Sequence, residues 1–188
     1  MINMGHFPTG YHCGMMDLKT IPDGVKWRLA ADCAAKLPAM YDLAFRRVVG
    51  DRYDEIEQEI WMELSRTVSD IARELSLPAR NAQELAETIR TVQVILFGPE
   101  YKSESLEVSK DGAVIIVRHC PFLDRGFNVT RTTELTFHKC LALTLTAVPL
   151  LNKNYTARYV RTMCTGDRQC EIKIEISHPQ VETSTVKK

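Results

Sequence analysis

The feature that most constrains this chain is a change of hydrophobic period at Gly98-Pro99, close to its midpoint. Before that dipeptide, apolar residues recur at three- and four-residue steps. After it, they first alternate with polar neighbours or cluster as β-branched runs. A repeat near 3.6 belongs to one face of a helix and a repeat of two to one face of a strand. The predicted fold class is therefore α+β: N-terminal helices packed on a small antiparallel sheet of two hairpins joined by a helix.

The first helical pattern runs from Asp23 to about Val48, with Val25, Leu29, Cys33, Leu37, Met40 and Leu43 on one face. Pro38 lies inside it and predicts a kink or two consecutive helices, because proline removes a backbone donor and clashes with the preceding turn. Asp51 is placed to cap a second helix with the stripe Ile56, Ile60, Leu64, Val68, Ile71 and Leu75. A third, from about Asn81 to Phe97, carries Leu85, Ile89, Val92 and Leu96 and stops at Gly98-Pro99.

Lys110-Asp111-Gly112 predicts a turn joining strands at about 104–109 and 113–119. Helical spacing returns over about 133–148 through Leu135, His138, Leu141 and Leu145. A second hairpin, 155–163 with 170–176, turns at Thr165-Gly166-Asp167-Arg168. The predicted organisation is an N-terminal segment over 1–22, a single α+β domain over 23–178, and a frayed tail over 179–188.

The 24 Lys and Arg balance the 24 Asp and Glu, so no net field gathers phosphates or acidic lipid. That argues against unspecific nucleic-acid and membrane partners and for a small molecule or a protein. No apolar run reaches the roughly 18 residues of a membrane span, and the N-terminus lacks a leader pattern, which predicts a cytoplasmic protein. A Gly-rich phosphate loop, a G-x-S-x-G elbow and an H-E-x-x-H helix are all missing from the sequence.

Six cysteines are too few and too unevenly spread for a secreted disulfide scaffold. Cys164 and Cys170 flank the second turn and are expected to face one another across it. Cys120 ends the first hairpin, and Cys140 lies on the linking helix. If that helix crosses the sheet, four thiolates converge on one point, which suits tetrahedral zinc or an iron–sulfur cluster.

Each of these cysteines taken singly also reads as a small apolar core residue, Cys140 as readily as a ligand, and Cys164 with Cys170 also reads as a disulfide. His119 and His138 stand close to cluster cysteines in sequence and are candidates for a second shell or a replacement ligand. His6, His12 and Cys13 have ligand-like composition in the N-terminal segment. Cys33 reads as helix core, and the acidic run Asp54, Glu55, Glu57, Glu59, Glu63 as a solvated face. Trp61, Phe97, Phe122, Phe127 and Phe137 are candidates to line an apolar ligand pocket, with core packing as the competing role.

Cys120-Pro121-Phe122, the lone helix cysteine and the segment Met163-Cys164-Thr165-Gly166-Asp167-Arg168-Gln169-Cys170 carry a family resemblance, with YDEIEQEIWMELSRTVSDIARELSLP and ILFGPEY upstream. Over about residues 50–176 the chain resembles the L-2-amino-thiazoline-4-carboxylic acid hydrolase-like family, within the wider 4-vinyl reductase group of small-molecule-binding domains. The resemblance implies a ligand cavity between helices and sheet, a dimer, and a cysteine-bound metal beside the cavity. In phenol-sensing relatives of that group, a zinc is held by cysteines corresponding to Cys140, Cys164 and Cys170 and by a glutamate. The glutamate position here is Arg161, which leaves Cys120 or a histidine as the fourth ligand.

Two functions follow as expectations. The first is a small-molecule-binding or sensing domain with a cysteine-ligated metal beside an apolar pocket, zinc before an iron–sulfur cluster, working as a homodimer. The second is a metal- or cysteine-dependent hydrolase of a small cyclic amidine or amide such as an aminothiazoline carboxylate, with Cys120 as nucleophile if it is not a ligand.

Overall fold

In the computed structural model, residues 17–50, 52–130 and 133–177 are described, so His6, His12, Cys13, Asp51 and the tail fall outside them. The change of period falls where the third helix ends. Helices α1 (Asp23–Val49), α2 (Arg52–Glu74) and α3 (Ala82–Phe97) precede the hairpin β1 (Lys102–Ser109) and β2 (Gly112–His119). Then come α4 (Pro121–Thr130), α5 (Glu134–Leu151), β3 (Tyr155–Arg161) and β4 (Cys170–Ile176).

The sheet is antiparallel in the order β1-β2-β4-β3. The last strand in the chain therefore lies between two earlier ones. On β2 the residues Ala113, Ile115 and Val117 are buried in alternation, and Ile172 and Ile174 of β4 join them on that face. Helix α3, opened by the Asn81 side chain accepting the Glu84 N–H at 2.9 Å, adds Leu85, Ile89 and Val92 to the same core. Each of these large aliphatic side chains contributes on the order of 1.5–3 kcal/mol by leaving water. Helix α5 joins the core with Ala142, Leu143, Ala147 and Val148 and also packs along α2.

Helix α1 departs from expectation in two ways. It is one continuous helix through Pro38. Its inward face is Ala31, Ala35, Ala39 and Asp42, whereas Leu29, Cys33, Leu37, Met40 and Leu43 are exposed. Small residues let the helix approach closely: a Cβ built on Gly98, whose φ is +96°, would stand 2.7 Å from the Ala31 Cβ. The pattern of large apolar residues thus marked the face turned away from this chain's own core. Helix α2 is rotated in the same sense, with Tyr53, Glu57, Trp61, Ser65, Val68 and Ala72 buried and Ile56 and Ile60 exposed.

Two further differences bear on the site. Helix α4 was not anticipated; Pro121 occupies its first position, where the missing N–H costs nothing. Cys164 is not on a strand but in a 3-10 turn, Met163–Thr165, that follows β3, while Cys170 opens β4. The connection is longer than a tight hairpin because Thr162, Gly166 at φ +105° and Asp167 build their own turn, with Thr162 N–H donating to Asp167 Oδ2 at 2.9 Å.

Candidate functional site

Four separate segments deliver cysteines to one small internal pocket: Cys120, Cys140, Cys164 and Cys170 all line it. Its free volume is about 20 Å³, room for one water-sized group. Gln93, Phe97, Tyr101, Thr144, Tyr159, Thr162 and Met163 complete most of the wall.

Each sulfur is positioned by backbone. Cys120 stands at the N-terminus of α4, its carbonyl accepting the Asp124 N–H at 3.2 Å. Cys164 is fixed by its own N–H donating to Thr162 Oγ1 at 3.2 Å and by the Thr133 hydroxyl donating to its carbonyl at 2.6 Å. The Met163 N–H donates to Cys170 Sγ at 3.3 Å, so the turn that carries Cys164 lies against the sulfur of Cys170. The polar wall is paired too: Tyr101 OH donates to Gln93 Oε1 at 3.0 Å, and Tyr159 OH lies 3.0 Å from Thr144 Oγ1.

Burial dominates the acid–base character of the pocket. It pushes the Cys120 thiol up to about 12, opposed by the Phe122 and Leu123 N–H groups at the α4 N-terminus. It pushes Cys164 up to about 11, Cys140 well above the ordinary range, and Cys170 upward. As described, the pocket therefore holds free, neutral thiols, and Cys164 and Cys170 are not joined. Among the described residues, no group of three or more His, Cys, Asp or Glu already stands disposed to hold a metal ion.

The two candidate histidines border other surfaces. His119 Nδ1 lies 2.8 Å from the Glu100 carbonyl and Nε2 lies 3.1 Å from Asp124, while His138 lines a cleft between α2 and α5. Arg161 pairs with Glu171 at 3.0 Å. Of the five candidate aromatics, Trp61, Phe122 and Phe97 lie in a row with centroids 5.4 and 5.3 Å apart, the first pair tilted and the second stacked. Phe137 meets Tyr159 edge-on at 5.5 Å, and Phe127 is exposed. Phe97 alone of the five lines the cysteine pocket, and Trp61 lines the cleft.

That cleft was not legible beforehand. Lys139, only 4% exposed, donates to Asp42 Oδ2 and Glu57 Oε2 at 3.0 Å each and to the Leu135 carbonyl at 3.3 Å. Asp42, 1% exposed, also accepts from Arg46 at 2.9 Å, and Arg46 reaches Asp54 at 2.7 Å. Tyr53 OH donates to Glu57 Oε1 at 3.3 Å. Burial raises the Glu57 carboxyl above its ordinary value despite Lys139, and raises the Tyr53 phenol, whereas the Arg46 hydrogen bond lowers Asp54. Glu57 thus belongs to a buried ion cluster and not to a solvated face. One signal was available: a lone lysine inside the apolar run of α5 requires an acidic partner.

No protein-family profile matches the chain, and no curated protein matches it. Among solved structures it is similar to a trafficking protein particle complex subunit 3 from Naegleria fowleri, solved covalently bound to palmitic acid. The identity is 15% and the TM-score 0.49, over 82% of this chain and 96% of that one. A likeness at this level carries no inference about function. Among the described residues no helix is long and apolar enough to cross a membrane.

Proposed function

We propose that this chain is a small-molecule-binding or sensing domain of the 4-vinyl reductase kind, in which the cysteine pocket takes up a thiophilic metal ion, zinc before an iron–sulfur cluster. The observation that carries the proposal is the convergence of Cys120, Cys140, Cys164 and Cys170 from four segments on a single pocket of about 20 Å³. Cysteines serving only as filler have no reason to meet. The donor set is soft and suits zinc, and the free volume favours a bare ion over a multi-atom cluster.

The fit is chemical rather than preformed, because no three of the described ligand-type side chains already stand as a metal set. Binding would require the sulfurs to draw together and shed their protons. A bound metal would supply a cross-link between the two hairpins, α4 and α5. The alternative, a hydrolase using Cys120 as nucleophile, is less well supported: a thiol held up to about 12 by burial is almost wholly protonated at neutral pH.

Metal analysis of protein purified without air tests the proposal. About one zinc per chain is expected. Metal-free protein that takes up none on titration, with all thiols remaining reactive on unfolding, would defeat it.

We also infer that the chain works as a homodimer. Support comes from Leu29, Leu37, Met40, Leu43, Phe45 and Val48, a surplus apolar face on α1 that the chain's own core leaves uncovered.

A further inference from the structure

We propose that the cleft between α2 and α5 is a binding site for a small organic cation with an apolar body, such as an arylalkyl amine. This inference goes beyond the cysteine site and does not depend on any metal.

The cleft has a volume of about 460 Å³, the size of a small-molecule site. Trp61, Met62, Leu141, Ala142 and Leu145 give it an apolar wall, and Asp54, Glu57, His138 and Lys139 a polar one. Asp42, Asp54 and Glu57 bring three carboxyl groups against the ammonium of Lys139 and the guanidinium of Arg46.

The lysine is already spent. The three N–H bonds of the Lys139 ammonium meet Asp42, Glu57 and the Leu135 carbonyl, so an anion entering the cleft would find no free ammonium donor there, only the side chains of Gln58, His138 and Thr146. The carboxylates retain capacity. Asp54 accepts from Arg46 through Oδ1, and among the described residues Oδ2 has no hydrogen bond. Each Glu57 oxygen has one partner and a second lone pair. Trp61 beside these carboxylates offers a ring against which a cation is attracted. An ammonium group would meet the acidic end while its hydrocarbon lies along Met62 and Leu145.

The test uses Trp61 emission in a Trp27→Phe background, which leaves one tryptophan in the chain. The probes are three compounds of one shape: phenethylamine, 2-phenylethanol and 3-phenylpropionate. Saturable quenching by phenethylamine is expected, with the alcohol at least about tenfold weaker and the carboxylate weaker still. Asp54→Asn, a change at a half-exposed position that spares the Lys139 pairs, is expected to weaken the amine about tenfold and leave the alcohol unaffected. Equal affinity for amine and alcohol would make the cleft merely apolar and overturn the proposal. So would indifference to Asp54→Asn, or no saturable response to any probe. Because the readout involves no metal, any of these results leaves the cysteine proposal standing.

Discussion

Lys139 and Cys140 are adjacent in sequence and serve different sides of α5: the Lys139 ammonium lies 3.0 Å from both Asp42 and Glu57, while Cys140 lines the cysteine pocket. One helix is therefore the shared wall of the ion-paired cleft and the thiol pocket. A shift of α5 would therefore act on both at once.

Lys139→Met tests the weight of the ion cluster. Removing the lysine leaves two buried carboxylates facing each other with only Arg46 in reach, and breaking a buried pair in this way costs about 3–5 kcal/mol. Denaturant titration should show that loss, and adding Glu57→Gln should recover part of it. A loss below about 1 kcal/mol would place the cluster among weak surface pairs.

Glu57 gives the cluster a pH signature. Its carboxyl pKa is raised in the folded state, chiefly by burial, so folding favours its protonated form. The contribution of that titration to stability is full below the unfolded value, about 4.3, and is lost as pH rises through the raised folded value. Compared with Glu57→Gln, the wild-type chain should thus lose relative stability on going from acid towards neutral pH. Paired melts across that range decide it; an opposite slope would mean that Lys139 outweighs burial.

Cys170→Ser addresses the metal proposal through linkage. A metal bound only by the folded state adds its binding free energy to folding, about 2.7 kcal/mol when present at 100 times its Kd. Chelation should lower the melting temperature of the wild type and leave Cys170→Ser nearly unmoved. For a cysteine that merely fills space, serine costs about 1–3 kcal/mol regardless of chelator. Equal responses of the two proteins to chelation would remove Cys170 from the ligand set.

The outward face of α1 predicts self-association. Leu37 and Met40 are 45% and 54% exposed in the single chain, on a helix whose inner face is alanine. Light scattering at micromolar concentration should give twice 21.4 kDa, and Leu37→Glu with Met40→Glu should return the mass of one chain without loss of helix. A wild-type chain that already scatters as a monomer rules the dimer out.

Much of the fold was legible because local chemistry and tertiary structure agree there. Lys110-Asp111-Gly112 fixes the first hairpin, and Asn81 with Gly98 brackets α3. Helix faces were harder. On α1 the buried side is made of alanines, which carry little hydrophobic signal, while the large residues point outward. Helix α4 was hidden behind Pro121 because a proline opens a helix as readily as it stops one. The thiol pocket was legible in composition, since the four cysteines line one pocket. The cleft was not: Glu57 sits among acids that do face water, and only the distant partners Asp42 and Lys139 set it apart.

The strand order carries a consequence for how the chain acquires its structure. β4 is synthesised last of the strands yet lies between β2 and β3, and Cys170 is its first residue. A chain emerging from the ribosome can form α1 to α3 and the first hairpin early, through near neighbours, but the sheet stays split until the C-terminal strand slots in. Until then Cys120 and Cys140 lack the sulfur of Cys170 beside them. The thiol pocket is thus a late landmark of folding, closed in the same event that joins the two hairpins into one sheet.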